Sequence, residues 1–166
     1  MARVPLIDEK EHPEFADLVE KFRAGRRGRL INIYRLLLNS PALAESWFNH
    51  SNAVRWKTAL DGRLREIIII RLGHLTRCEY VLRQHVPALA LADWEASPLF
   101  SAGERAALAY ADVMTRDIVV GDEVFAQVAQ YFDQRQLVEL TVLIGTYNMN
   151  ARVLRALELD LEPAAD

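Results

Sequence analysis

The stretch REIIIIRLGHLTRCEYVLRQH, residues 65–85, decides how the chain is read. Four consecutive isoleucines, Ile67–Ile70, suit a buried strand as well as a buried helix. The flanks settle it. GRLRE before the run and RLGHL after it carry the segment past ordinary strand length, so the reading is a helix over 62–73 with Asp61 as its cap. A helix that is apolar nearly all round belongs in the middle of the protein. Gly73 and Thr76 mark a turn. Thr76 is expected to cap a second helix over 77–86, antiparallel to the first and ended or kinked at Pro87.

Outward from this pair the chain reads as helix after helix. EKEHPEFADLVEKFR (9–23) is weakly amphipathic, and LINIYRLLLNS (30–40) has Ile31, Tyr34, Leu37 and Leu38 at helical spacing. Ser40 and Pro41 restart a helix as cap and first residue. SAGE (101–104) is a capping box ahead of a helix to Arg116. Asp122 opens a short helix, and DQRQ (133–136) opens the last and longest, with Leu140, Leu143, Ile144, Tyr147 and Ala151 along one stripe. No segment alternates polar and apolar residues over strand length. The expectation is an all-α single-domain helical bundle of about six to eight helices spanning 1–166.

The bulk numbers narrow the function classes. With 166 residues, 51% hydrophobic content and a net charge of −3, the chain can bury a core and has no global attraction for nucleic acid or anionic membrane. Its longest fully apolar run is too short to span a bilayer. The opening MARVPLIDEKEHPEF lacks a signal-peptide hydrophobic region. One cysteine excludes an internal disulfide framework. A cytoplasmic protein is expected, and no His/Cys/Asp/Glu cluster has zinc spacing, so no metal or other cofactor is expected.

That cysteine is Cys78. The sequence places it in the first turn of a helix, where the dipole and unpaired N–H groups favour a thiolate. His85 follows at i+7, on the same face but on the order of 10 Å along the axis. Glu66, twelve residues before Cys78, is costly to bury without partners. In an antiparallel pair it falls beside His85, where the two can move protons for the Cys78 region. Each residue also has an ordinary reading: Cys78 as a small core hydrophobe, His85 as a core histidine, Glu66 as a helix-start glutamate. His74, Arg71 and Arg83 are possible pocket residues. KFRAGRRGR (21–29) reads as a solvated basic loop.

LREIIIIRLGHLTRCEYVLRQHVPALA resembles the core motif of the carboxymuconolactone decarboxylase family, which includes alkyl hydroperoxidase D. That motif has a glutamate on one helix and Cys-x-x-Cys-x-x-x-His on the next. Glu66, Cys78 and His85 match it in type and spacing. NIYRLLLNSPALAESW (32–47) and ELTVLIGTYNMNARVLRAL (139–157) resemble flanking helices, so the similarity covers about 30–157. Val81 stands where the second cysteine would be, and Tyr80 where the family has a histidine; both are possible pocket residues.

The resemblance implies a small-molecule enzyme with Glu66, Cys78 and His85 as catalytic residues. One form is a thiol-dependent peroxidase in which an external thiol resolves the oxidised sulfur, since an internal cycle needs two thiols. The other is a cofactor-free decarboxylase of a lactone acid, with Glu66 and His85 as acid and base and Arg71 or Arg83 holding the carboxylate. A non-catalytic helical oligomer with a vestigial pocket is the third. The family's assemblies imply a homo-oligomer (dimer, trimer or hexamer), burying part of the set Trp47, Phe48, Trp56, Trp94 and Phe100.

Overall fold

The isoleucine run is helical. In the computed structural model, which describes residues 2–85 and 94–163, it lies in α4 (Gly62–Leu75). The other helices among the described residues are α1 (Ala16–Ala24), α2 (Asn32–Leu37), α3 (Pro41–Trp56), α5 (Glu79–Gln84), α6 (Ala102–Arg116), α7 (Asp122–Val128) and α8 (Gln134–Ala156). Short 3-10 turns occur at Pro13–Phe15 and Trp94–Ala96, and no strand occurs among the described residues. Pro87, the expected helix breaker, lies outside the described residues.

Three of the expected caps form. The Asp61 carboxylate accepts from the N–H groups of Arg63 and Leu64, satisfying two of the four N–H groups that α4 cannot pair internally. Ser101 and Glu104 make a reciprocal box at α6. Asp133 and Gln136 do the same at the start of α8, with bonds of 2.8 and 3.1 Å.

The chain divides into two compact units, Met1–Trp56 with Leu154–Asp166 and Lys57–Val153. In the first, Phe22, Tyr34 and Phe48 form a ring cluster with centroids 4.6–5.5 Å apart. The Arg26 guanidinium lies over Tyr34 and Phe48 and donates to the Tyr34 hydroxyl at 2.7 Å. Burial pushes the Tyr34 phenol above its ordinary value, against the opposing pull of Arg26. Gly25 is required here, because a Cβ would lie 2.5 Å from Phe48 Cζ. Phe48 is therefore internal, and in the second unit so are Trp94 and Phe100; of the aromatic set expected at an oligomer face, Trp56 is the exposed member.

In the second unit Ile67–Ile70 and Leu72 of α4 are buried with Leu108 of α6 and Leu140, Leu143 and Ile144 of α8. A buried ion pair crosses this core. Arg71 Nε and Nη2 donate to Asp112 Oδ1 and Oδ2 at 2.7 and 2.5 Å, a fork joining α4 to α6. Both side chains are more than nine-tenths buried. Removing one partner strands a buried charge, which costs far more than the intact pair contributes.

Asp112→Ala is therefore expected to lower unfolding stability by about 3–5 kcal/mol, read from the denaturant midpoint; a loss below about 1 kcal/mol, the range of exposed pairs, would mean that the pair is solvated. A second expectation concerns acid. Burial alone would raise the Glu104 carboxyl, but the Ser101 N–H and Arg63 guanidinium bonds outweigh it and hold it below its ordinary value. A carboxyl depressed on folding stabilises above its unfolded value of about 4.3 and loses that contribution as pH falls through the folded value. The stability gap between wild type and Glu104→Gln should close on that descent; a gap constant from neutral pH down to below pH ~3 would contradict it.

Candidate functional site at the α4–α5 turn

The site is built by a chain reversal. Thr76 does not cap the second helix, as expected from sequence; it terminates α4, with its hydroxyl donating to Leu72 O at 2.6 Å. Arg77 then takes a left-handed conformation, φ 51°. The Arg77 N–H donates to His74 O and the Cys78 N–H to Gly73 O, at 3.1 and 2.9 Å. These are the two bonds of a Schellman cap. The reversal delays α5 by two residues, so Cys78 is its N-cap residue rather than part of its first turn. Its sulfur is held in the interior, with the residue 2% exposed.

Gly73 sets how closely α5 approaches α4. A Cβ there would lie 2.7 Å from Leu82 Cδ2 and 3.0 Å from Leu82 Cγ. The resulting fold-back brings Glu66 to His85, as the antiparallel argument expects. Glu66 Oε2 and His85 Nδ1 are 2.6 Å apart. An ionised carboxylate only accepts, so against it Nδ1 is the donor, and in the neutral ring that leaves the Nε2 lone pair available. The His85 side chain is 4% exposed and that of Glu66 40%, so the carboxylate joins a buried imidazole to the solvent side.

Tyr147 of α8 meets the His85 ring edge to face, with centroids 5.8 Å apart and planes at 75°. Its place on the α8 stripe was legible, but nothing local marks its meeting with His85.

The other expected pocket residues scatter. Tyr80 and Val81 are buried on α5, while His74 is exposed. Arg71 is engaged with Asp112. Arg83 is on the surface, 3.4 Å from Glu79 one turn away. Two surface clefts, of about 350 and 530 Å³, are lined by Phe125, Leu137, Val138 and Val142 among others, and by Asp61, Ser101, Glu104 and Tyr131 among others. Neither includes Glu66, Cys78 or His85. Among the described residues no group of three or more His, Cys, Asp or Glu is arranged to hold a metal ion, and no helix is long and apolar enough to cross a membrane.

The chain is similar to known proteins in sequence and in fold. Residues 41–113 match the carboxymuconolactone decarboxylase family model; the chain has a single cysteine, Cys78, with Val81 three residues on. An uncharacterised Escherichia coli K12 protein, YnjA, is 33% identical over 117 residues, covering 63% of this chain and 64% of the relative, less than two thirds of its length. Three solved structures share the fold. A peroxidase-related protein from Silicibacter sp. TM1040 has a TM-score of 0.81 at 20% identity, over 96% of this chain and 90% of that one. The debrominase Bmp8, as a cysteine-to-alanine variant with 2,3,4-tribromopyrrole, has 0.80 at 19%, over 97% and 92%. An uncharacterised peroxidase-related protein with an alkylhydroperoxidase AhpD core, from Ralstonia eutropha JMP134, has 0.78 at 15%, over 97% and 92%. At these identities the likeness is one of fold, and the fold is all-α and alkyl hydroperoxidase D-like.

Gly73→Ala tests the reversal. Alanine gains about 1 kcal/mol of helix propensity, but overpacking against Leu82 costs about 1–3 kcal/mol. A net loss of about 1 kcal/mol is expected in urea unfolding. A net gain would mean that Leu82 swings clear and α5 is not held by this approach.

Proposed function

We propose that the protein is a small-molecule enzyme that reduces a small peroxide at Cys78, with Glu66 and His85 as its proton-handling pair and an external thiol as reductant. The observation that carries this reading is the 2.6 Å bond from His85 Nδ1 to Glu66 within a buried imidazole. It fixes the tautomer that leaves Nε2 a base. Through a bridging water, Nε2 takes the thiol proton, and the thiolate attacks a peroxide oxygen. The S–O bond forms and the O–O bond breaks. The leaving alkoxide takes the proton back as an alcohol, and Cys78 becomes a sulfenic acid.

Val81 cannot resolve that product. An external thiol attacks the sulfur, expelling water and forming a mixed disulfide; a second thiol releases the Cys78 thiol and leaves as the external disulfide. The burial of Cys78 favours small peroxides. Decarboxylation of a lactone acid is the less supported reading, because it needs a cation for the carboxylate. Arg71 is held by Asp112 and Arg83 lies at the surface. The reading is completed by a cytoplasmic homo-oligomer whose residues 1–166 act as one domain.

Peroxide consumption with an added small-molecule thiol tests the proposal. Cys78→Ser should fall to background, and Glu66→Gln and His85→Gln should each fall about 10²-fold, the lower range for a lost acid–base group. Lactone-acid turnover that survives Cys78→Ser would establish the decarboxylase instead. Absence of both activities in the wild type would leave a non-catalytic oligomer.

A further inference from the structure

We propose that Tyr147 is a positioning residue for the Glu66–His85 pair: its ring holds the His85 imidazole in the orientation that keeps Nδ1 on Glu66 and turns Nε2 away from it. An imidazole bonded through one nitrogen can still rotate about its Cβ–Cγ bond. A quarter-turn swings Nδ1 off the carboxylate and takes the ring out of its plane. The backbone does little to prevent this, because His85 follows the last turn of the six-residue α5 with extended angles, φ −123° and ψ 124°. The restraint must come from packing, and Tyr147 is a ring in contact with the imidazole.

Three observations make Tyr147 suited to the role. The edge-to-face geometry, at 75°, is a preferred arrangement of two rings and is lost when either rotates. Both residues are more than nine-tenths buried, so solvent does not soften the contact. Tyr147 stands on α8 beside Leu143, Ile144 and Ala151, all fully or almost fully buried, so its backbone is fixed from several sides. The pair is thus held from two elements, by a carboxylate on α4 and a ring on α8.

This inference rests on the reading of Glu66 and His85 as a proton-handling pair, and the test reports on the ring without requiring turnover. The full chain, labelled with nitrogen-15, is observed through the His85 ring nitrogens at about pH 8, where an ordinary imidazole is neutral. The wild type should give the widely separated nitrogen shifts of one tautomer with the proton on Nδ1. Tyr147→Phe should keep that separation. Tyr147→Leu should narrow it as the tautomers mix, whereas Leu143→Ala, equally buried on the same helix, should leave it unchanged. If Tyr147→Leu does not fold, Tyr147→Met, which keeps volume without a ring, is read in the same way. An unchanged separation in the ringless variant overturns the role of Tyr147 alone. A wild type without the Nδ1–H pattern overturns the reading of the pair itself.

Discussion

The approach of α5 to α4 at Gly73 is the constraint on which the site depends. Seven residues separate Glu66 from Gly73 on the way out, and seven separate Cys78 from His85 on the way back. At a helical rise of about 1.5 Å per residue, each leg covers roughly 10 Å. A tight reversal between equal legs returns the chain to its starting level, and Glu66 meets His85. The reversal is tight because the Schellman bonds close it over Thr76 and Arg77 and because Gly73 presents no Cβ to Leu82. A looser turn would carry His85 past the carboxylate and leave two costly polar groups without each other.

The rest of the second unit supports that reversal. The isoleucine run buries α4, which packs on α6, and the Arg71–Asp112 fork fixes the α4–α6 register. A buried ion pair adds little net stability over an apolar one but penalises every arrangement that separates its partners. It lies one helical turn and one residue beyond Glu66 on the same helix. The element that presents the carboxylate is thereby held in place by a contact remote from Glu66 and His85.

The sequence was most legible where its signals were local. Asp61, Ser101 with Glu104, and Asp133 with Gln136 announce helix starts within four residues, and each cap is present. The Glu66–His85 meeting was legible through helix arithmetic alone. The cap at Cys78 was not. It depends on a left-handed backbone at Arg77, and an arginine carries no sign of that conformation as a glycine would. The Arg71–Asp112 fork joins residues 41 apart, so Arg71 read as a free cation for substrate. Tyr147 was visible as part of an apolar stripe, but its contact with His85 is set by helix packing and has no pattern along the chain.

The central claim is that the Glu66–His85 pair governs the reactivity of Cys78, and alkylation of the single thiol tests it most directly. Its rate is followed against pH in the wild type and in Glu66→Gln, because only the thiolate reacts at a useful rate. The inflection of the rate profile should move when Glu66 loses its charge. Superimposable profiles in the two proteins would contradict it and leave Cys78 as a core residue beside an unrelated ion pair.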